Sequence, residues 1–199
     1  LHNYACFNAE NYREPDGMKY HTYPSLKSEE DRQSLWAGLI DGRLSTVATD
    51  VVSTTWEDKI KYKTVADVTG GHNGVETRVG IAYNECVVKR GSSLERFVDI
   101  TSTNAAKIFG LYPQKGCIAA GSDADITIID TSICKKLSLD DLHLEDYSIW
   151  VGWDIQGWPS TTVLRGKVMV EDGNLLGGPS EGRLLKRKVS SDVTSRPVC

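Results

Sequence analysis

The sequence predicts an α/β protein in two unlike parts, and three observations point there. Capped, amphipathic helical stretches alternate with short β-prone runs up to about Pro113. Beyond Pro113 the texture changes to strand-like runs separated by Gly- and Asp-containing turns. The composition, 40% hydrophobic and 25% charged over 199 residues, is that of a globular chain rather than a disordered or fibrous one.

Element by element, residues 1–25 are polar and aromatic without a sustained period, and Pro15-Asp16-Gly17 signals a turn, so loop is expected. At Ser28 a helix begins. Ser28-Glu29-Glu30-Asp31 reads as a capping box, Leu35, Trp36, Leu39 and Ile40 follow at helical spacing, and Gly42 ends the helix. A β-prone run over 44–50 closes on Asp50, and 51–69 reads as irregular and polar. Val75, Val79, Ala82, Tyr83, Cys86 and Val87 share one face of a second helix that stops at Gly91. Shorter helices are expected from Ser93 and from about Ser102-Thr103-Asn104 to Gly110.

In the β part, Cys117-Ile118-Ala119 and Ile126-Thr127-Ile128-Ile129 are strand-like and flank an acidic turn, Gly121-Ser122-Asp123-Ala124-Asp125, whose carboxylates serve most cheaply as local backbone acceptors. Thr162-Val163-Leu164 and Lys167-Val168-Met169-Val170-Glu171 make a hairpin around Arg165-Gly166, with a further turn at Asp172-Gly173. The expected divisions are 1–113, 114–180 and an irregular tail, 181–199.

Charge and cysteine usage narrow the function. A net charge of −4, with Lys186-Arg187-Lys188 the one basic cluster, argues against nucleic acid or a membrane surface as partner, and no apolar run reaches 18 residues. Five dispersed cysteines without a CxxC, Cys6, Cys86, Cys117, Cys134 and Cys199, fit thiols of a reducing compartment, and the cytoplasm is expected. The chain opens on Leu-His-Asn, without initiator Met or signal-peptide pattern, and is expected to be a fragment.

Candidate chemistry is sparse. Asp50 stands out because a carboxylate at the C-terminal end of an α/β strand lies on the face where such folds build active sites; the competing reading is a turn or cap acceptor. Four histidines, His2, His21, His72 and His143, stand 19, 51 and 71 positions apart, which is no metal-ligand spacing. Surface or loop positions are expected for them, the alternative being that His21 or His72 lines a site, because each lies beside other polar loop residues. Gly70-Gly71-His72-Asn73-Gly74 lacks the Lys-Ser/Thr pair of a phosphate loop, and Ser25, Ser45 and Ser53 lack a G-x-S-x-G elbow. Tyr147, Trp150, Trp153 and Trp158 suit packing better than a binding platform.

Four ordered blocks carry a family resemblance. Ser45-Thr46-Val47-Ala48-Thr49-Asp50, Gly70-Gly71-His72-Asn73-Gly74-Val75-Glu76-Thr77-Arg78, Phe97-Val98-Asp99-Ile100-Thr101-Ser102-Thr103-Asn104-Ala105-Ala106-Lys107 and Lys115-Gly116-Cys117-Ile118-Ala119-Ala120-Gly121-Ser122-Asp123-Ala124-Asp125-Ile126 resemble the C-terminal half of the hydantoinase and dihydropyrimidinase group of cyclic amidohydrolases.

The resemblance implies the last part of a metal-dependent (β/α)8 barrel plus strands of a β-sandwich, and hydrolytic opening of a hydantoin or dihydropyrimidine ring. Asp50 matches the family's aspartate that binds one of two divalent metals, zinc being expected, and exchanges protons with the bridging hydroxide. Tyr23, in Tyr23-Pro24-Ser25-Leu26-Lys27, and Gly70 match substrate-contact positions whose backbone groups can serve whatever the side chain. Glu76 and Arg78 are expected as structural ion-pair partners. The family's HxH pair, carboxylated lysine and two later histidines have no counterpart here, and a (β/α)8 barrel alone takes about 250 residues. The 199 residues by themselves are therefore expected to be inactive and metal-free, within a parent that is a homotetramer. The alternative is a non-catalytic, oligomeric interaction scaffold of the same fold, against which retention of Asp50 speaks.

Overall fold

The computed structural model describes residues 2–64, 66–143, 146–196 and 198. The expectation for Cys199 lies outside them.

The first 25 residues are more ordered than expected. A short helix, α1 (His2–Cys6), is followed by single 3-10 turns at Ala9–Arg13 and Gly17–Tyr20. Tertiary packing overrides weak local signals here. The Trp36 indole N–H donates to the Ala5 carbonyl at 2.5 Å, and Phe7 stacks against Tyr20 and Trp150 at 4.9 and 4.8 Å.

Helix α2 (Glu29–Asp41) forms as its sequence predicts. The Ser28 side chain accepts from Asp31 N while Asp31 reaches back to Ser28 N, and Gly42 ends the helix in the left-handed region at φ 91°. Trp36 and Leu39 are buried and Ile40 is exposed, so one narrow stripe meets the core. Helix α3 (Trp56–Ile60), capped by Thr55, interrupts the stretch expected to be irregular.

Residues 44–50 enter no β-ladder among the described residues, which corrects the predicted strand. Their backbone groups find other partners. The carbonyls of Leu44, Ser45 and Val47 accept from Arg96, Asn104 and Arg78 side chains, Val47 N donates to Ile100 O at 2.8 Å, and His2 N donates to Ala48 O at 3.0 Å. Side chains thus satisfy a segment whose polar groups cannot be left bare.

Helix α4 (Arg78–Tyr83) runs into a π turn (Asn84–Val88) and ends near Gly91 as predicted, with Ile81, Ala82, Tyr83 and Cys86 buried. Val75, expected on that face, is exposed because the helix starts only at Arg78. The two shorter helices join. α5 (Leu94–Val98), capped by Ser93, passes through a π turn (Asp99–Thr103) into α6 (Asn104–Ile108). Phe97 and Ile100 are buried, while Leu94 and Val98 face outward.

The β part is one four-stranded antiparallel sheet in the order β1 (Ile126–Lys136), β2 (Asp154–Leu164), β3 (Lys167–Glu171), β4 (Asn174–Leu175). The predicted hairpin is present. Arg165 and Gly166 both take positive φ, 48° and 81°, the twist a two-residue connection needs between right-twisted strands. Residues 117–119 form no strand; Ile118 is 85% exposed, and Cys117 Sγ donates to Pro113 O. The acidic turn differs from the expected local acceptors: Asp125 accepts from Arg165 N at 2.8 Å, 40 residues away, and Asp123 and Asp125 clamp the Lys115 ammonium. In the tail, Ser191–Ser195 is a short helix, α7.

Helix α4 and strand β2 share the core. A Cβ at Gly80 would strike the Trp158 ring, and one at Gly157 would strike Tyr83, so both glycines are what let helix and strand approach. Trp150 is fully buried and contacts His2, Phe7 and Trp153, which places the tryptophan cluster in packing.

Candidate functional site

Three segments distant in sequence converge around the residues singled out above. The run from Ala48 delivers Asp50, which is exposed and left-handed at φ 53°. Two residues on, Val52 N donates to His72 O at 3.4 Å and Thr54 N to Asn73 Oδ1 at 3.3 Å, laying this segment beside the glycine-rich one. On the other side of that glycine segment, Gly71 N donates to His21 O at 3.1 Å.

Tyr23 and Gly70 therefore meet. The Tyr23 ring lies over Gly70 where a side chain would be, and its hydroxyl donates to Val68 O at 3.0 Å. Its ring edge meets His21, with centroids 4.8 Å apart at 82°. A residue larger than glycine at 70 is excluded while the tyrosine holds this position.

Beneath the junction sits Lys59, fully buried at the end of α3. Its ammonium donates to His21 O at 2.7 Å, to Thr69 O at 3.1 Å and to Gly71 O. Burial pushes its pKa down to about 8. The sequence offers no signal for this residue, because a lysine in a polar Trp-Glu-Asp-Lys-Ile run looks solvated.

The histidines divide unexpectedly. His2, His21 and His72 are buried, at 2%, 5% and 2% exposure; His21 and His72 lie in loops as expected, whereas His2 is helical, and none of the three is at the surface. Aromatic packing is the reason for His2, which stacks on Trp150 at 4.7 Å with planes 13° apart. Burial, and secondarily the neighbouring His72, hold its pKa at about 3. Burial also lowers His72, opposed by a hydrogen bond to Asn73 O and by the Asp50 charge. His21 is lowered by burial and by Lys59. Only His143 lies at the surface, where the Glu76 carboxylate binds its Nδ1 at 2.5 Å and holds its pKa up.

That contact corrects the expected pairing of Glu76 with Arg78. Glu76 serves His143, whereas Arg78 donates to the carbonyls of Val47 and Thr101 at 3.2 and 3.1 Å. Arg78 thereby supports the run that leads to Asp50, a structural role reached through backbone rather than through a carboxylate. Cys6 and Cys86 are buried thiols raised by desolvation, which removes them as nucleophiles.

Among the described residues no group of three or more His, Cys, Asp or Glu side chains is arranged to hold a metal ion. Asp50 offers one carboxylate, and His2 Nε2 and His21 Nε2 are enclosed without a hydrogen-bond partner among those residues. This donor set does not fit a two-metal centre by itself.

The amidohydrolase family pattern matches residues 15–169. D-phenylhydantoinase of Escherichia coli O1:K1 / APEC is 36% identical over 188 residues, covering 93% of this chain and 41% of that protein. Among solved structures, dihydropyrimidinase from Brevibacillus agri NCHU1002 superposes with a TM-score of 0.89 at 33% identity over 94% of this chain and 42% of that one. L-hydantoinase (dihydropyrimidinase) from Arthrobacter aurescens does so with 0.80 at 34% identity over 88% and 39%. The chain thus spans about two fifths of the length of the curated relatives it matches. Sequence blocks, backbone geometry and these likenesses agree: the chain belongs to the amidohydrolase family, and the relatives it resembles are named as hydantoinases and dihydropyrimidinases.

Proposed function

We propose that these residues supply part of the active site of a protein that hydrolyses a cyclic amide, opening a hydantoin or dihydropyrimidine ring. The observation that carries this reading is the junction itself: Tyr23 and Gly70, 47 positions apart, touch beside the segment that leads to Asp50. Hydrolysis of a cyclic amide needs a proton taken from water and a proton given to the leaving nitrogen. Asp50, exposed at the end of a firmly anchored run, serves as the carboxylate that does both. Backbone N–H and C=O groups at Tyr23 and Gly70 hold the polar edge of the ring, with the Tyr23 ring setting the shape of that wall.

The resemblance implies divalent metals, zinc being expected, and Asp50 is proposed as one of their ligands. The remaining donors must come from outside these residues. The 199 residues alone are proposed to be inactive. The protein as a whole is proposed as a cytoplasmic homotetramer, with 1–113 contributing to a barrel, 114–180 to a sandwich and 181–199 forming a tail. Relatives named as hydantoinases favour the enzyme over a non-catalytic scaffold. The described helices include none long and apolar enough to cross a membrane.

The test is hydrolysis of hydantoins and dihydrouracil by the full-length protein, with metal content measured alongside. Asp50→Asn is a clean control because asparagine tolerates the left-handed backbone at this position as well as aspartate does. It should lower kcat by about 10²-fold to 10⁴-fold, and a variant with full activity would remove Asp50 from the mechanism.

A further inference from the structure

We infer that Lys59 is the positioning residue that fixes the Tyr23 and Gly70 backbones against each other and so sets the spacing with which they grip the ring. The inference rests on the cyclic-amide reading above. An ammonium has three N–H donors and no acceptor, and Lys59 uses them on His21 O, Thr69 O and Gly71 O. His21 lies two residues before Tyr23, and Thr69 and Gly71 are the immediate neighbours of Gly70. One side chain from a third segment therefore ties both substrate-contact positions.

Recognition by backbone groups makes such a brace necessary. A side chain can adjust its reach through rotamers, but a peptide N–H or C=O is only as well placed as the chain that carries it. Other ties between the two segments are Gly71 N to His21 O, the Tyr23 hydroxyl to Val68 O, and the ring lying on Gly70. Lys59 is itself held from below. Thr55 caps α3 by accepting from Asp58 N at 3.1 Å, and Lys59 N donates to Thr55 O at 3.0 Å, so the lysine stem leaves a fixed turn. With the ammonium removed, three carbonyls lose a donor, two of them in buried hydrogen bonds, and the tie between the segments is weakened.

A positioning role has a kinetic signature distinct from a merely structural one. Loss of binding contacts felt equally by ground and transition states raises KM and spares kcat, whereas partial misfolding lowers the active fraction and leaves KM alone. In the full-length protein, Lys59→Met is expected to raise KM for hydantoin and dihydrouracil by about tenfold or more, with kcat within about threefold of wild type. Lys59→Arg, which restores a cation with several donors, is expected to recover part of the KM. An unchanged KM with reduced kcat or active fraction overturns the inference. Should Lys59→Met fail to fold, Lys59→Arg decides: a raised KM with kcat retained supports the brace, and a wild-type KM overturns it. If the wild-type protein hydrolyses neither compound, the cyclic-amide reading falls and the positioning role with it. The brace is then read separately by hydrogen exchange of Lys59→Met or, failing that, Lys59→Arg. Faster exchange confined to 21–24 and 69–72, with α2 unchanged, upholds it, and unchanged exchange at those segments overturns it.

Discussion

Substituting Gly70 by alanine tests the junction most directly. A Cβ there would collide with Cδ2 and Cε2 of the Tyr23 ring and stand 3.0 Å from its Cγ. These are ring atoms close to the backbone, not the flexible end of a side chain, so relief requires the whole ring to swing away. Swinging breaks the hydrogen bond from the Tyr23 hydroxyl to Val68 O, worth about 1 kcal/mol. Overpacking adds about 1–3 kcal/mol. Gly70→Ala should therefore destabilise the protein by about 2–4 kcal/mol. With Tyr23→Ala in the background the obstacle is gone, and the same substitution should cost less than about 1 kcal/mol. Equilibrium urea unfolding of wild type, both single variants and the double variant gives the coupling directly. Additive effects to within about 0.5 kcal/mol, or a Gly70→Ala protein as stable as wild type, would refute the contact on which the proposed substrate wall depends.

Two histidines should give the protein opposite pH dependences. His2 is a base whose folded pKa, about 3, lies below its unfolded value of about 6.5. Unfolding therefore takes up a proton below pH 6.5, and stability present above that pH is lost as the pH falls, at a slope of up to about 1.4 kcal/mol per pH unit. His72, lowered in the same direction, adds to this loss. His2→Phe keeps the stack on Trp150 and should flatten urea-derived stability between pH 6.5 and 5; equal slopes in the two proteins would contradict the buried, neutral imidazole. His143 runs the other way, because the Glu76 carboxylate and the Gly173 carbonyl hold its pKa above the usual value. Its contribution is present below pH 6.5 and is lost as the pH rises through the raised pKa, and the ring's exposure keeps it small. An NMR titration should show the His143 pKa falling in Glu76→Gln, and an unshifted titration would refute the pairing.

Legibility in the sequence followed the range of the interactions involved. The capping box at Ser28 and the Gly42 stop declare α2 because Ser28 and Asp31 pair within three residues and Gly42 needs only its own left-handed backbone. The β2–β3 hairpin is equally local, its turn set by the backbone freedom of Arg165-Gly166. The run over 44–50 misleads because β-propensity reports a pleated, half-buried environment and says nothing of who supplies the hydrogen bonds. Here Arg78, Arg96 and Asn104 supply them, and none lies within 25 residues of the carbonyl it serves.

The candidate site divides in the same way. Asp50, Tyr23 and Gly70 could be named from the sequence because the blocks around them carry a family pattern. Their adjacency could not, since the Tyr23–Gly70 contact closes a 47-residue separation and depends on the backbone direction at both ends. Lys59 was invisible for a sharper reason: its partners are three carbonyls, and carbonyls have no residue identity for a sequence to display.

By itself, then, the sequence determined the capped helices α2 and α5, the hairpin, the acidic balance and membership of a hydrolase family, all of which are written in residue types at short spacing. The tertiary structure alone decided that three histidines and a lysine are buried, that Glu76 serves His143 rather than Arg78, and that the segments carrying Tyr23, Gly70 and Asp50 lie together. Burial and carbonyl-mediated contact are properties of the folded chain's geometry, set by which distant segments exclude water from one another, and no local pattern encodes them.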